Sequence, residues 1–131
     1  MVNELGAPNM VLHYDYPADI PGPADTQPGL EAITPFVSHV RTTFPDSHCS
    51  SELQVAEGDL VVTRGTARGT HQGSYGDSTC GDIPPTAKQV RWTETASDRI
   101  VEGKMVENWI NADALGRLQQ IGALSTSGQA R

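Results

Sequence analysis

The feature that most constrains the fold of this sequence is an alternating stretch at residues 90–113. From Val90 to Ser97 the side chains alternate with a period of two residues, which is the period of a β-strand and not of a helix. The alternation pauses at Glu102-Gly103-Lys104, a turn sequence, and resumes as far as Ile110. The stretch therefore predicts two long antiparallel strands joined by a tight turn.

A third strand is predicted at residues 59–71, and one of its two faces carries small side chains. Arg64, Thr66, Arg68 and Thr70 fall on one face, and Thr63, Gly65, Ala67, Gly69 and His71 fall on the other. Small residues on one face of a strand leave empty volume or allow another backbone to approach closely. We therefore expect this face of the sheet to form the wall of a cavity.

Shorter elements surround these strands. The sequence predicts a strand at 10–15, a helix from Thr34-Pro35 to about Thr43, a short strand at 53–57, a polar loop at 73–85 and a last helix after Asp113. Asp113 is expected to be the N-cap of that helix, on which Leu115, Leu118 and Ile121 form an apolar stripe. Helices combined with a strongly curved antiparallel sheet predict an α+β fold, a cone-shaped barrel in which the sheet wraps around the helices and encloses a pocket.

Length, charge and cysteine usage narrow the function classes. We expect a single domain over residues 1–131, with a proline-rich surface loop at 16–28 and a frayed tail at 125–131. A net charge of −7 with nine Lys plus Arg argues against nucleic acid as a partner, and no apolar run is long enough to span a bilayer. Because the N-terminus lacks a signal-peptide pattern, we expect a cytoplasmic protein in which Cys49 and Cys80 are free thiols, with a disulfide between them as the alternative. His48 beside Cys49 lacks further spaced ligands, so no metal site is predicted.

Eight short motifs occur in an order that resembles a known family. They are GLEAI at 29–33, FPD at 44–46, AEGD at 56–59, RGTHQG at 68–73, PPT at 84–86, EGKMVENW at 102–109, Asp113 and QQIGA at 119–123. Together they resemble the SnoaL-like polyketide cyclase family over about Pro8 to Leu124. That family shares the cone fold of nuclear transport factor 2 with ketosteroid isomerase, scytalone dehydratase and limonene epoxide hydrolase. The resemblance thus implies this fold and an internal pocket, whereas function depends on the residues placed in the pocket.

Two residues that carry the reaction in the family are replaced in this sequence. The acid/base carboxylate that its cyclases use on the last strand aligns with Ile110, and their pocket histidine aligns with Ala96. No Arg-x-Asp arrangement of the kind used by epoxide hydrolases of this fold is apparent on an inward strand face. Candidate catalytic residues therefore have to come from the other residues that face the pocket.

The pocket-facing residues follow from the alternation and from the resemblance. They are Leu12, Tyr14, Trp92, Glu94, Ala96, Asn108 and Ile110, with Gly65, Ala67 and His71 opposite. The candidate catalytic residues are Glu94, Tyr14, Asn108 and, on the first helix, His39. The candidate substrate-binding residues are Leu12, Ala67, His71, Trp92, Ala96 and Ile110.

Each catalytic candidate also has a structural interpretation. Glu94 among apolar walls suits a general acid or base, but a core glutamate paired with an arginine or with Tyr14 is an even alternative. Tyr14 suits donation to a developing oxyanion, although a packed tyrosine is the more frequent case. Asn108 suits orientation of a carbonyl or water, or is a satisfied buried amide. His71 is expected at the cavity rim, where solvated turn histidines are more common than functional ones.

The opposite face of the sheet predicts a protein interface. Arg68, Arg91, Glu107 and Trp109 project from it, and a tryptophan among cross-strand charges is unusual for a solvated sheet. The resemblance implies that this outer face forms a two-fold dimer. We expect a homodimer with Trp109 near its centre and Glu107 paired with arginines. The alternative is a monomer in which an arginine side chain covers Trp109.

These observations support two hypotheses about function. The first is a cofactor-independent enzyme that transfers protons on a small apolar molecule with a carbonyl or hydroxyl group, as an isomerase, cyclase, dehydratase or hydrolase. In it Glu94 acts as acid or base, and Tyr14, His39 or Asn108 polarises the substrate. The second is a non-catalytic dimeric protein that binds an apolar small molecule, which the replaced carboxylate and histidine favour.

Overall fold

A curved five-stranded sheet forms the framework of the protein, with its strands in the order β1-β7-β6-β3-β2. The computed structural model describes residues 5–14, 33–77 and 81–124. Its elements are β1 Gly6–Tyr14, α1 Ile33–Thr43, β2 His48–Glu57, β3 Leu60–Thr70, β4 Tyr75–Asp77, β5 Gly81–Ile83, β6 Gln89–Val101, β7 Lys104–Ala112 and α2 Ala114–Gln120. The predicted proline-rich loop, the predicted tail and Cys80 lie outside the described residues. The predicted α+β class is confirmed.

The predicted hairpin is present as β6 and β7. Val101 pairs with Lys104, so that Glu102 and Gly103 alone form the turn, with φ angles of 50° and 78°. Two successive positive φ angles are typical of the tight turns that match the twist of a hairpin. Alternate residues of β6 therefore point to the same face of the sheet from Gln89 to Arg99, after which the register of β6 and β7 shifts between Arg99 and Ile100.

The sheet is mixed, whereas the sequence analysis predicted an antiparallel one. β1 runs parallel to β7, and Leu12 pairs with Asn108. β1 is not joined to β7 by a hairpin, so no turn sequence sets its direction, and the alternation of its side chains is the same in both directions. Its placement beside β7 puts Leu12 on the same face as Asn108 and Ile110.

Four other parts of the chain differ from the sequence predictions. β1 begins at Gly6 and β2 at His48, four and five residues before the predicted starts. The predicted polar loop at 73–85 contains the two-stranded sheet of β4 and β5. On α2, Leu118 and Ile121 are buried, but Leu115 is 58% exposed. The buried face of the helix instead includes Arg117, one turn from Ile121.

The core lies between the end of α1, the sheet and α2. Phe44 packs against Trp92, with ring centroids 5.0 Å apart, and both side chains are buried. Gly69 makes this packing possible, because a Cβ at that position would lie 2.8 Å from the Phe44 Cβ. The predicted N-cap is confirmed, since Asp113 accepts a hydrogen bond from the Gly116 N–H at 2.8 Å. No helix among the described residues is long and apolar enough to cross a membrane.

Candidate functional site

A cavity of about 250 Å³ lies between α1, the start of β2, the sheet and α2. Val37 and Val40 line it from α1, and Cys49 lines it from β2. Ala67, Trp92 and Glu94 line it from the sheet, and Arg117 lines it from α2. We call it the Glu94 cavity, because Glu94 is the one carboxylate among the described residues that line it.

The Glu94 carboxylate is held by two neutral donors. The Trp92 Nε1–H donates to Oε2 at 3.1 Å, and the Cys49 thiol donates to Oε1 at 3.3 Å. Trp92 and Glu94 are two residues apart on β6, so their side chains share the face of the sheet that lines the cavity. Each carboxylate oxygen thus has a fixed partner, and neither partner carries a positive charge.

Gly65 explains how a residue of β2 reaches a residue of β6 across β3. Gly65 pairs directly with Glu94, and the neighbouring Ala67 pairs with both Cys49 and Trp92. A Cβ on Gly65 would lie 3.1 Å from the Cys49 Sγ and 2.8 Å from the Ser50 carbonyl oxygen. Of the two predicted consequences of small residues on β3, close approach is the one observed at this position.

Cys49 is a hydrogen-bond donor at this site and not a thiolate. Burial, the hydrogen bond to Glu94 and the negative charges of Glu94 and Glu52 raise the pKa of the Cys49 thiol to about 11. A thiol with this pKa remains protonated near neutral pH and keeps its S–H for Glu94. Cys49 is a free cysteine, as predicted.

Arg117 brings a positive charge to the same cavity. Its side chain is buried, and its guanidinium carbon lies 5.1 Å from the centroid of a Trp92 ring. α2 is fixed to the sheet by Gln120, whose amide nitrogen donates to the Arg91 carbonyl at 2.6 Å and whose amide oxygen accepts from the Arg91 N–H at 2.9 Å. The cavity therefore combines one carboxylate, two arginines, since Arg41 of α1 lines it as well as Arg117, and apolar walls.

Cys49 and Arg117 are residues of this site that were not predicted from the sequence. Cys49 lies before the start of the strand predicted at 53–57, so its pairing with β3 could not be predicted. A signal for Arg117 did exist, because positions 114, 117, 118 and 121 have the spacing of one helix face. The prediction used the apolar Leu115 for this face, although a long basic side chain can also pack its stem in a core.

The other pocket-facing candidates lie on the same face of the sheet but away from the Glu94 cavity. Leu12 and Asn108 pair across β1 and β7 and are both buried, and the Asn108 amide nitrogen donates to Asp98. Ala96 and Ile110 pair across β6 and β7 and are half-buried. Tyr14 pairs with Ile110 in the sheet, and the position of its side chain lies outside the described residues.

The two candidate histidines are placed differently from what was expected. The rim position predicted for His71 is wrong, because its side chain is fully buried and its ring lies 5.9 Å from that of Phe44. Its Nδ1 accepts from the Thr86 N–H at 3.2 Å, and burial lowers the pKa of His71. His39 is half-buried on α1 and makes an edge contact with Tyr75 at 5.9 Å, outside the lining of the Glu94 cavity.

The outer face carries a second tryptophan and a second glutamate. Trp109 stacks on His13 with a centroid distance of 5.2 Å, and the Arg99 guanidinium lies 5.9 Å from its ring. Glu107 contacts the His13 Nε2 at 2.9 Å and the Arg99 Nε at 3.5 Å. Glu107 is thus paired with an arginine of its own chain, and the predicted homodimer stays a prediction.

Comparison with known proteins identifies the family. The sequence matches the family described as SnoaL-like polyketide cyclase over residues 3–121. The chain belongs to this family. No match is found among the curated proteins. Among the described residues, no group of three or more His, Cys, Asp or Glu side chains is arranged to hold a metal ion.

Several solved structures resemble the chain. The crystal structure of IdmH, a proposed polyketide cyclase from Streptomyces antibioticus, has 32% identity and a TM-score of 0.76, and the match covers 92% of this chain and 84% of IdmH. AclR, a proposed hydroxylase from Streptomyces galilaeus, has 25% identity and a TM-score of 0.72, over 92% of this chain and 68% of AclR. An NTF2-like protein from Burkholderia thailandensis shares the fold at 17% identity, with a TM-score of 0.70 over 92% of this chain and 82% of that protein.

Proposed function

We propose that the protein is a cofactor-independent enzyme that transfers a proton on a carbonyl compound, with Glu94 as the proton acceptor and donor. The observation that carries this proposal is the Glu94 carboxylate in the cavity, with the Trp92 and Cys49 hydrogens as its fixed partners. Both partners are neutral donors, which hold the carboxylate in place and leave its negative charge without an ion pair to them. A carboxylate of this kind suits general acid and base catalysis.

The substrate class that fits is a polyketide-derived molecule or fragment with adjacent carbonyl groups. The family and IdmH are both described as polyketide cyclases, which supports this class. Val37, Val40, Ala67 and Trp92 give the cavity apolar walls, and its volume of about 250 Å³ suits part of a small organic molecule.

The reaction begins with transfer of a proton from carbon to Glu94. Glu94 takes the proton from the carbon next to a carbonyl group, and the electron pair of that C–H bond forms an enolate whose oxygen becomes negative. Arg117 stabilises this charge, because its buried guanidinium can act as an electrostatic clamp on an oxyanion. In a cyclase the enolate carbon then attacks a second carbonyl group, and the protonated Glu94 returns the proton to the alkoxide oxygen. No oxidant or cofactor is needed for this sequence.

Tyr14, Asn108 and His39 remain candidates for supporting roles. Asn108 lies on a strand that continues the cavity face of the sheet, where it can contact the distal part of a longer substrate, and Tyr14 pairs with Ile110 on the neighbouring strand. His39 is farther from this chemistry, because α1 contributes Val37 and Val40 to the lining of the Glu94 cavity. We therefore keep Glu94 and Arg117 as the primary pair.

The test uses proton exchange, because it does not require the natural substrate. An aromatic β-diketone is incubated in deuterated buffer with wild-type protein, Glu94→Gln or Glu107→Gln, and exchange of the acidic C–H is followed by NMR. We expect Glu94→Gln to lower the enzyme-dependent rate by about 100-fold or more, as for loss of a general base. Glu107→Gln, a matched change on the outer face, should keep the wild-type rate. Equal exchange rates for Glu94→Gln and wild type would refute the role of Glu94.

A non-catalytic binding protein is the second candidate function. Ile110 and Ala96, which align with the family's carboxylate and histidine, are apolar and pair with each other across β6 and β7. Under this hypothesis the β-diketone binds with saturable shifts in the protein's NMR spectrum, but its exchange rate equals that of buffer alone.

We also propose that the protein forms a homodimer through the outer face of the sheet. Trp109 is half-buried there although it stacks on His13, so it offers apolar surface to a second copy. Light scattering on wild type and on Trp109→Glu tests this interface. A dimer mass for wild type and a monomer mass for the variant are expected, and a monomeric wild type would overturn it.

A further inference from the structure

A second cavity, of about 300 Å³, opens on the outer side of the sheet at the end opposite the β6–β7 turn. His48, Arg68 and Arg91 line it from three neighbouring strands. Asp46, Thr70 and Gln120 also line it. It shares His48 with the Glu94 cavity, which Arg68 and Arg91 do not line.

The three basic residues form a row across the sheet. His48 pairs with Arg68 across β2 and β3, and Arg68 pairs with Arg91 across β3 and β6. Residues paired in this way have Cβ atoms about 4.5–5.5 Å apart, and like charges at that distance are destabilising. A negative charge close to both arginines would therefore offset this repulsion.

Within the described parts of the chain, neither Arg68 nor Arg91 has a carboxylate within ion-pair distance of its guanidinium. Arg99, at the other end of the outer face, does have carboxylate partners. Arg99 is held by both oxygens of Asp59, at 2.8 and 2.7 Å, and by Glu107. The two ends of the outer face thus differ in whether the protein supplies its own counter-charges.

Asp46 lines the cavity, but its carboxylate is already occupied. It accepts from the Thr70 N–H and from the Thr70 hydroxyl, both at 2.7 Å. These bonds lower the pKa of Asp46, so it stays ionised and reduces the positive charge of the cavity by one. Arg68, Arg91 and Asp46 together leave one net positive charge, which protonation of His48 would increase to two.

The wall that carries Arg91 is fixed in place. Gln120 forms two hydrogen bonds with the Arg91 backbone, and its amide also donates to the Gly116 carbonyl at 3.0 Å. The backbone from which the Arg91 side chain extends is thereby tied to α2. A ligand that binds here loses little free energy to ordering of the backbone.

We propose that this cavity is an anion-binding site for a small molecule that carries a phosphate or carboxylate group. The guanidinium groups of Arg68 and Arg91 bind the anionic oxygens as forks, and the His48 imidazole adds a third donor. The protein carries a net charge of −7, so general electrostatic attraction does not bring anions to its surface. Binding therefore depends on this local row of cations.

The experiment is a titration of the full-length protein with inorganic phosphate and, separately, with succinate, at constant ionic strength adjusted with sodium chloride. Arg68→Gln and Arg91→Gln remove one cation each, and Arg64→Gln is the control, because Arg64 is an exposed arginine on the same face of β3. The readout is the chemical shift of the arginine side-chain Nε–H groups and the thermal unfolding midpoint. Preference for phosphate over succinate, or the reverse, assigns the anionic group.

We expect saturable shifts with wild type and Arg64→Gln, and at least about tenfold weaker binding with either of the other variants, since each loses a charge-assisted fork. Unsaturable shifts of equal size in all four proteins would overturn the proposal. A second result would also overturn the proposal: wild type shows no anion-dependent shift, but Arg68→Gln or Arg91→Gln changes the molecular mass of the protein in solution. In that case the three basic residues would bind an acidic side chain of a second copy of the chain.

Discussion

The two faces of the sheet each carry one tryptophan and one glutamate, and the two pairs are built differently. On the cavity face, Trp92 is buried and donates directly to Glu94. On the outer face, Trp109 is half-buried and does not contact Glu107 through a hydrogen bond; Glu107 is held by His13 and Arg99 instead.

The difference lies in the charge of the partners. The Glu94 partners are an indole and a thiol, both neutral, whereas the Glu107 partners are a guanidinium and an imidazole. An ion pair stabilises the charged form of a carboxylate, and a half-exposed pair contributes little else. The comparison indicates that Glu107 has a structural role and that Glu94 is the carboxylate suited to exchange a proton.

The largest difference between the faces should appear on removal of the tryptophans. Trp92→Ala removes a ring that packs on Phe44 and lies under Arg117, so we expect a loss of about 3–5 kcal/mol in the free energy of unfolding. Trp109→Ala removes a stacked but half-exposed ring, and we expect a loss of about 1 kcal/mol. Urea unfolding of both variants measures this, and equal losses would contradict the assignment of Trp92 to the core.

A smaller effect should come from the buried histidine. Burial lowers the pKa of His71 in the folded protein, so below pH about 6.5 the unfolded chain binds a proton that the folded chain does not. The unfolding free energy should therefore fall as the pH is lowered from 7.5 to 5.5, by at most about 1.4 kcal/mol per pH unit from this group. His71→Gln should lose this component, and His13→Gln, on the outer face, should keep it. An unchanged pH dependence in His71→Gln would show that the pKa of His71 is not lowered in the folded state.

The smallest effect should come from the outer carboxylate. Glu107→Gln breaks a contact whose side chains are about one-quarter to one-third exposed, and we expect a loss of at most about 1 kcal/mol in unfolding free energy. The loss should shrink further at 1 M salt, since surface charges are screened. A cost of 3 kcal/mol or more would mean that Glu107 is as tightly integrated as a buried ion pair.

Much of the fold could be predicted from the sequence because strand alternation is a local signal. The hairpin of β6 and β7, the Asp113 cap and the shared face of Trp92, Glu94 and Asn108 all follow from residue spacing over short distances. The parallel direction of β1 could not be predicted, because it depends on a crossover with no turn signature. The short strands β4 and β5 lack a clear alternating pattern, so a loop was predicted for residues 73–85.

The site was less predictable, because it depends on contacts between strands. Glu94 could be predicted as a catalytic candidate because strand alternation places it on the cavity face of the sheet. Its partner Cys49 lies in the part of β2 that was not predicted to be a strand. The contact also requires Gly65 between them, which acts by lacking a side chain. The described partners of Glu94 are an indole and a thiol, not the arginine that its structural interpretation suggested, and the alternative pair with Tyr14 involves a side chain outside the described residues.

The contact between Glu94 and Cys49 offers the most direct test of the account. The measurement is the rate of Cys49 alkylation by iodoacetamide at pH 8 in a Cys80→Ser background, with Glu94→Gln and Glu107→Gln as variants. The thiol pKa of about 11 should make the background protein react slowly. Glu94→Gln removes a negative charge from the thiol, and we expect alkylation at least about threefold faster, whereas Glu107→Gln should have no effect. Equal rates in all three proteins would contradict the claim that the Glu94 carboxylate is charged and faces the cavity beside Cys49.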